Sequence, residues 1–282
     1  MRILVLIENN PATSNPGLVC EHGLSLYIET NNHKIISDTG ASGKFLVNAS
    51  KLGVDLGKVD KVFLSHGHYD HTGGTILLNS KLAPDTPILA AKGFDESHFN
   101  CAHQPAKVIG IDRGITRLPN LKIVMDSVKL DDEIYILKDT PMDKELPIES
   151  TNLKTLKGSP LEMVDDDFNH EMYLVLTEGD KKVLISGCAH KGITNIVSHF
   201  IREFGAAPDV VVSGFHMKSN TPYSPEEVVA IQDTTTELLE MTKDKGTIFY
   251  TCHCTSLEAF EIMRDEMGSR IVYVRTGDEI CV

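Results

Sequence analysis

The sequence predicts an α/β protein that folds as one large domain. Three observations support this: a length of 282 residues, an apolar fraction of 41%, and a change from closely spaced strand-like runs to alternating strands and helices. A chain of this size and apolarity can bury a substantial core, which excludes disorder as its general state. Alternating strands and helices are typical of layered α/β proteins. We expect a single domain over 1–282, with a lid or surface excursion around the proline-containing, weakly periodic segment 140–167.

Short runs of β-favouring residues predict the strands, and most of them end in Gly, Asp, Asn or Ser. They lie at Arg2–Ile7, Leu24–Glu29, Lys34–Ser37, Lys61–Ser65, Ile88–Ala91, Lys107–Ile111, Lys122–Met125, Glu133–Leu137, Met172–Thr177, Lys182–Ser186, Asp209–Ser213, Thr247–Thr251 and Arg270–Val274. Apolar residues recur at helical spacing over 193–204, 228–238 and 257–267. Ser224 and Pro225 are typical of the start of the second helix, and Gly268 of the end of the third.

The charge balance excludes some classes of function. The chain has 27 basic and 40 acidic residues, a net charge of −13, which is the wrong sign for binding nucleic acid through bulk electrostatics. No apolar run approaches the roughly 18–20 residues that span a bilayer, and the N-terminus lacks a signal-peptide pattern. Six cysteines are too sparse for a disulfide scaffold. We expect a cytoplasmic protein with reduced thiols that binds neither nucleic acid nor a membrane.

The segment after the fourth predicted strand has the most specific pattern. Three histidines and one aspartate fall within six positions directly after Lys61–Ser65. His66 and His68, two residues apart in an extended turn, point the same way and can reach one ion. Asp70 and His71 begin the following turn and can face a second ion. Imidazole and carboxylate ligands suit Zn²⁺, with Fe or Mn as substitutes, and we expect two divalent ions.

This His-x-His-x-Asp-His pattern resembles the signature of the metallo-β-lactamase superfamily, over nearly the whole chain. The sequence is most similar to the subgroup named for the dihydropterin–ribofuranosyl-aminobenzene 5′-phosphate synthase of archaeal methanopterin biosynthesis, in which many bacterial members are labelled only as metal-dependent hydrolases. The matching motifs are Asp-Thr-Gly-x-Ser-Gly at 38–43, Asn48, Leu-Ser-His-Gly-His-x-Asp-His-Thr-Gly-Gly at 64–74, Asp166–Asp167, Gly-Cys-Ala-His-Lys-Gly at 187–192, Gly-Phe-His at 214–216 and His-Cys-Thr at 253–255. The resemblance implies an αββα sandwich of two mixed sheets flanked by helices, with a one- or two-metal site at one edge.

The resemblance also implies roles for residues outside that segment. Asp38 stands after a strand, where a family carboxylate orients metal-ligating histidines. The superfamily needs further ligands downstream, and three later strands each end at a histidine, as expected for a site at a sheet edge. These are His190, His216 and His253. We expect one ion to be held by His66, His68 and His190, and the other by Asp70, His71 and His253.

Two features depart from the common superfamily pattern. No Pro-Gly-His-Thr element lies between Gly74 and Lys182, and the strand where a bridging aspartate is usual ends at Cys188. Either the Cys188 thiolate is a ligand or His190 takes this place, and we favour His190. Ser256 stands where the subgroup usually has Gly after His-Cys-Thr.

The expected activity is that of a hydrolase in which a metal-activated water attacks a small anionic ester or phosphoester. Asp70 and His216 are the expected catalytic residues, Asp70 by orienting the nucleophile and His216 by donating to the substrate or leaving group. Lys218 is expected to bind the anionic group. One alternative is a transferase that joins a pterin-methyl diphosphate to a ribofuranosyl-aminobenzene phosphate. Another, of a different class, is a non-catalytic metal-binding or sensory module; the oligomeric state stays open.

We expect the remaining ligand-type residues to lie outside the site. His98 and His103 fall in a polar loop, and we expect neither to be a ligand. Asp165–Asp167 lacks the spacing of a calcium loop and is expected to be a solvated acidic turn. Cys252 and Cys254 are expected to be thiols without a redox role. No ligand pattern surrounds His22, His33, His170 or His199.

Overall fold

The strands of residues 1–11, 15–217 and 222–282, which the computed structural model describes, form two seven-stranded sheets and one four-stranded sheet. They are β1 (Arg2–Ile7), β2 (Ser25–Glu29), β3 (Lys34–Ser37), β4 (Lys61–Leu64), β5 (Ile88–Ala91), β6 (His98–Asn100), β7 (Lys107–Val108), β8 (Leu121–Val124), β9 (Val128–Lys129), β10 (Ile134–Lys138), β11 (Leu153–Lys157), β12 (Glu162–Asp165), β13 (Met172–Glu178), β14 (Lys181–Ile185), β15 (Val210–Ser213), β16 (Ile248–Thr251), β17 (Ile271–Tyr273) and β18 (Glu279–Cys281). The α-helices are α1 (Lys44–Lys51), α2 (Tyr69–Thr72), α3 (Thr75–Asn79), α4 (Ile193–Phe204), α5 (Pro225–Met241) and α6 (Leu257–Met267).

These elements belong to two compact units. Unit 1 comprises Met1–Ser127, Leu153–Met172 and Val274–Val282, and unit 2 comprises Val128–Asn152 and Tyr173–Tyr273. Each unit has its own large sheet and its own apolar core. The single domain over 1–282 stays a prediction.

The large sheet of unit 1 has the strand order β18-β1-β2-β3-β4-β5-β8. β1 pairs antiparallel with β2 and β18, whereas β3, β4, β5 and β8 run parallel. Aliphatic residues of β1 and β4 pack against Phe45 and Ala49 of α1 and Leu78 of α3. Because β3 and β4 run parallel, the residues that follow their carboxyl ends, Asp38 and His66, emerge at the same edge of the sheet.

The four-stranded sheet also belongs to unit 1 and has the order β12-β11-β6-β7. Its antiparallel pairing of β11 with β6 sets Thr155 opposite His98. β11 and β12 lie within 140–167, where the sequence predicted a lid or surface excursion and no strand. β12 reads Glu-Met-Val-Asp and all four residues are exposed. Its two apolar residues are adjacent, so the sequence lacks the apolar–polar alternation that predicts a half-buried strand. The role of the segment as a lid stays a prediction.

The large sheet of unit 2 has the order β17-β16-β15-β14-β13-β10-β9. β14, β15, β16 and β17 run parallel, and β13 pairs antiparallel with β14. The register sets Val183, Val210 and Ile248 side by side on three neighbouring strands. Most of the predicted apolar stripe of α4 is buried in the core that this sheet shares with α5 and α6, and its last two residues, Ile201 and Phe204, are partly buried.

The helices predicted for unit 2 are confirmed. α5 begins after Ser224, whose side chain accepts a hydrogen bond from the backbone of Glu227, while the Glu227 carboxylate accepts one from the backbone of Ser224. α6 ends before Gly268, which has a φ of 56°. Among the described residues, no helix is long and apolar enough to cross a membrane.

Candidate metal centre

The four residues predicted after β4 lie together in unit 1. His66 and His71 are fully buried, and His68 and Asp70 are nearly so. The ring centroid of His66 lies 4.6 Å from that of His68 and 4.2 Å from that of His71. Asp70 Oδ2 lies 4.0 Å from His71 Nε2. α2 begins directly after His68 and includes both Asp70 and His71. The segment therefore packs three imidazoles and one carboxylate into one buried group.

Asp38 holds part of this group in place. Its Oδ2 accepts hydrogen bonds from His71 Nδ1 at 2.6 Å and from Ser65 Oγ at 2.7 Å. Its Oδ1 accepts one from Ser65 N at 2.7 Å. The φ of Asp38 is 60°, a left-handed conformation that is uncommon for a residue other than glycine and that clusters at functional sites. The structure thus places Asp38 against His71, as its predicted role requires, while the role itself stays a prediction.

These hydrogen bonds determine which nitrogen of each ring has the proton. Because a carboxylate oxygen accepts, His71 donates from Nδ1 to Asp38 Oδ2 and its lone pair is on Nε2. The single hydroxyl proton of Ser65 goes to Asp38, so Ser65 Oγ accepts from His66 Nδ1 at 2.8 Å. His66 therefore also has its lone pair on Nε2. Imidazoles oriented in this way through a carboxylate are typical metal ligands.

A glycine between the first two histidines allows the chain to close around the group. A Cβ at Gly67 would lie 2.1 Å from the carbonyl oxygen of Phe94. Real Cβ atoms do not approach backbone so closely, so any other residue at this position would push the two segments apart. The glycine in the His-x-His element is therefore required by packing.

His22 contacts the group, and the sequence did not indicate it. Its Nε2 lies 3.2 Å from Asp70 Oδ2, and its side chain is 44% exposed. The two residues are far apart in the chain, so no local spacing could reveal the contact. Asp70, the residue predicted to orient the nucleophile, is thus held by an imidazole that reaches solvent.

A second group of ligand-type residues lies beside His68 in unit 1. It contains His98, Asp166 and His170, all buried, and with His68 their ligand atoms lie within 4.8 Å of one another. The expectation of a polar loop is wrong for His98, which begins β6. The expectation of a solvated turn is wrong for Asp166, although the flanking Asp165 is exposed. The four-residue spacing of Asp166 and His170 was the one local signal, and on its own it is weak.

Unit 2 holds the remaining predicted ligands, at the carboxyl ends of β14, β15 and β16. Cys188 and His190 follow β14, His216 follows β15 and His253 follows β16. The ring centroids of His190 and His216 lie 4.4 Å apart. The ligand atoms of Cys188, His190 and His216 lie within 4.8 Å of one another, as do those of Cys188, His253 and Cys254. The three parallel strands therefore bring the three predicted histidines to one edge of this sheet.

The backbone at this edge is unusual. His216 and His253 have φ values of 51° and 54°, and Ala189, next to Cys188, has 58°. Each left-handed residue of this kind costs on the order of 1–3 kcal/mol and persists only where its surroundings impose it. His216 N donates to Cys254 Sγ at 3.2 Å, which ties the loop after β15 to the loop after β16.

Cys254 is a thiol to which the sequence assigned no role. Burial raises the pKa of this thiol, but hydrogen bonds with Cys188 and His216 outweigh burial and lower the pKa to about 5. The thiolate is the form of cysteine that binds metals. The ligand atoms of Cys188 and His190 both lie within 4.8 Å of that of His216. Either residue could therefore be the metal ligand that follows β14, and the choice between them stays open. Lys218, the predicted anion-binding residue, lies outside the described residues.

A cavity of about 910 Å³ lies in unit 2 beside His216. It is lined by residues of α5, by the start of α4 and by the segment 144–149. Seven of its lining residues are acidic and one, Lys144, is basic; Lys144 pairs with Glu237. The described lining therefore favours a neutral or cationic part of a ligand over an anionic one.

The side chains of both units suit divalent metal ions. Unit 1 supplies imidazole nitrogens and a carboxylate, and unit 2 adds thiols to its imidazoles; Zn²⁺ accepts all three ligand types. His98 Nε2 is buried and makes no hydrogen bond among residues 1–11, 15–217 and 222–282, as expected for a ligand atom that awaits an ion. The identity and the number of the ions stay predictions.

Comparison with known proteins agrees with this combination of fold and ligands. The family model of the metallo-β-lactamase superfamily matches residues 18–253, and the chain belongs to this superfamily. A crystal structure of a metal-dependent hydrolase of the β-lactamase superfamily is 26% identical and has a TM-score of 0.82, covering 100% of this chain and 99% of that chain. The α/β fold class, with two large mixed sheets and helices, is confirmed. The superfamily consists mainly of metal-dependent hydrolases.

Two relatives come from Methanocaldococcus jannaschii. An uncharacterized protein is 27% identical over 91% of both chains. The 7,8-dihydropterin-6-methyl-4-(β-D-ribofuranosyl)-aminobenzene-5′-phosphate synthase is 24% identical over 98% of this chain and 95% of the synthase. Zn²⁺-bound PqqB from Methylobacterium extorquens, 10% identical with a TM-score of 0.58 over 100% of both chains, shares the fold alone.

Proposed function

We propose that this protein is a metal-dependent hydrolase of small anionic esters or phosphoesters, with two Zn²⁺ ions as the expected cofactors. The main observation behind the proposal is the buried group of His66, His68 and His71, in which Asp38 contacts His71 Nδ1 directly and His66 Nδ1 through the Ser65 hydroxyl. Membership of the superfamily and the likeness to a solved metal-dependent hydrolase support it.

The chain's own residues have distinct tasks in this proposal. A divalent ion held by the imidazoles supplies Lewis-acid chemistry that makes water nucleophilic near neutral pH. Asp38 orients His66 and His71. Asp70 orients the attacking water, since its carboxylate stands 4.0 Å from His71 Nε2 and is itself held by His22. The other residues keep the roles predicted from the sequence. His190 and His253 are ligands, His216 donates to the substrate or leaving group, and Lys218 binds the anionic group.

Metal analysis followed by a substrate panel tests this function. The full chain is stripped with a chelator, reloaded with Zn²⁺, Mn²⁺ or Fe²⁺, and assayed against phosphomonoesters, phosphodiesters, lactones and neutral carboxylic esters. We expect metal-dependent turnover of an anionic ester that is lost in His71→Ala. His33→Ala is the matched control, because His33 also contacts a carboxylate, at 3.0 Å, but lies at the opposite end of β3 from Asp38.

The outcomes separate the candidate functions. Turnover of neutral esters alone would refute the anionic substrate, a result that the acidic cavity of unit 2 makes important to check. Bound metal without turnover of any compound would favour a non-catalytic module.

A pterin transferase is the second candidate, and the similarity to the synthase over 98% of this chain favours it. In this case, the amino nitrogen of the ribofuranosyl-aminobenzene phosphate forms a bond to the pterin methylene carbon, the C–O bond to diphosphate breaks, the nitrogen loses one proton and diphosphate leaves. Diphosphate release that requires both compounds would replace the hydrolase by the transferase. Release from the pterin compound alone would support hydrolysis.

A further inference from the structure

The group of His98, Asp166 and His170 beside His68 has no role in the function proposed above. The four side chains are almost entirely inaccessible, with exposed fractions of 4% for His68, 0% for His98, 6% for Asp166 and 2% for His170. Burying three imidazoles and a carboxylate is unfavourable unless hydrogen bonds or an ion compensate for the lost water. The hydrogen bonds of each ring therefore show which atoms are already satisfied.

Both nitrogens of His170 are in use. Gly67 N donates a hydrogen bond to His170 Nδ1 at 3.0 Å, so the lone pair of Nδ1 is occupied. The ring proton is then on Nε2, which faces Asp166 Oδ2 at 3.4 Å. His170 therefore offers no lone pair to an ion; it holds Gly67, between His66 and His68, and supports Asp166.

His98 is different, because one of its nitrogens remains available. Asp166 Oδ2 lies 2.7 Å from His98 Nδ1 and 3.4 Å from His170 Nε2. A carboxylate oxygen between two imidazole nitrogens accepts from both, so His98 donates to it from Nδ1. The lone pair of His98 is then on Nε2. This atom is buried and makes no hydrogen bond with any described residue.

The geometry of His98 and Asp166 repeats that of His71 and Asp38. In both pairs a buried imidazole donates from Nδ1 to a carboxylate Oδ2, at 2.7 Å and 2.6 Å respectively. In both pairs the opposite nitrogen keeps its lone pair. The ring centroids of His98 and His68 lie 5.4 Å apart, and one ligand atom from each of the four residues lies within 4.8 Å of the others, so His98 and His68 are neighbours in one candidate metal site.

We propose that His98 is a metal ligand, binding a divalent ion of the Zn²⁺ class through Nε2 together with His68, and that Asp166 is the positioning residue that sets its tautomer. The inference rests on the proposed function only in requiring that the protein binds such ions. It adds a ligand that the superfamily resemblance did not supply.

Metal titration of the full chain tests the inference without any substrate. Metal-free wild-type protein, His98→Gln, Asp166→Asn and His71→Ala are titrated with Zn²⁺ against a chromophoric chelator, and with Co²⁺, whose visible absorption reports the ligands. His33→Gln is the matched control, since His33 also contacts a carboxylate through Nδ1. Circular dichroism and thermal melting of the metal-free proteins show whether each variant folds.

We expect His98→Gln to lose one equivalent of ion, or to bind it more than about 100-fold more weakly, with an altered Co²⁺ spectrum. Asp166→Asn keeps the ring but not the charge, so a loss of about 10–100-fold is expected. His33→Gln is expected to match wild type. If His98→Gln does not fold, Asp166→Asn decides by the same measurement.

A folded His98→Gln with wild-type stoichiometry, affinity and Co²⁺ spectrum would overturn the inference, even if its melting temperature falls. The proposed function would still stand if wild type binds metal and His71→Ala binds about one equivalent less. Wild-type protein that binds neither Zn²⁺ nor Co²⁺ would refute both. The two failures are therefore distinguishable.

Discussion

Asp38→Asn changes one oxygen into an amide nitrogen at nearly constant size. Asp38 Oδ2 accepts from both His71 Nδ1 and Ser65 Oγ, and Oδ1 accepts from Ser65 N. An amide group at the Oδ2 position would face two donors, and His71 would have to move its proton to Nε2 and lose the lone pair there. An amide group at the Oδ1 position would instead oppose the backbone N–H of Ser65. Either orientation leaves a conflict in a buried site.

The magnitude follows from how many rings depend on the carboxylate. Loss of one orienting partner costs about 10–100-fold in metal affinity, or about 1.4–2.7 kcal/mol. Asn keeps one of the two accepting oxygens, so the loss of metal affinity in Asp38→Asn is expected to fall in this range. Asp38→Ala removes the acceptors for His71 and for the Ser65 hydroxyl that sets His66, and two such losses give about 10²–10⁴-fold. An unsatisfied buried donor would also lower the free energy of unfolding of the metal-free variant by about 1–3 kcal/mol.

Competition titration of Zn²⁺ and urea unfolding of the metal-free protein measure the two effects separately. Asp60→Asn is the matched control: Asp60 accepts from His33 Nδ1 at 3.0 Å and from Lys34 N at 2.7 Å, but it precedes β4, whereas His66 follows β4. This variant should bind Zn²⁺ as wild type does. A folded Asp38→Asn with wild-type Zn²⁺ affinity would refute the claim that this carboxylate orients the ligands.

The other expectations concern single ligands. His68→Ala should remove most of the one to two transition-metal ions per chain, and stoichiometric metal at wild-type affinity would contradict this. Cys188→Ser should lower activity less than His190→Ala; a large effect of Cys188→Ser with loss of one ion would make the thiolate the ligand. His253→Ala should lose metal and activity together, whereas His216→Ala should keep its metal while kcat falls by about 10²–10⁴-fold. Metal analysis decides the last pair, since equal depletion would make His216 a ligand too.

The parts of the site that the sequence predicted share one property: they are local. His66, His68, Asp70 and His71 lie within one short segment, so their spacing alone brings them together. The histidines of unit 2 could be placed because the carboxyl ends of neighbouring parallel strands meet at one edge. α5 was predictable from Ser224, because its cap depends only on residues within one turn.

The residues that the sequence missed come together through long-range pairing. His98 and Asp166 are 68 positions apart, and they meet within unit 1, where β11, which lies between them in the chain, pairs with β6. β11 has lysines at two of its five positions and β12 is entirely exposed, so neither showed a strand pattern. Without those strands, His98 looked like a loop residue and Asp166 like part of a hydrated acidic turn.

The shared arrangement of the two His–Asp pairs also gives the centre an intrinsic spectroscopic label. The Nδ1 protons of His71 and His98 lie in short, charge-assisted hydrogen bonds on rings with no exposed surface. Protons held in this way exchange slowly with solvent and resonate well downfield of the backbone amides. The proton spectrum therefore follows each pair separately as ions are added. It reports whether His71 or His98 binds an ion first, and no substrate is needed for this measurement.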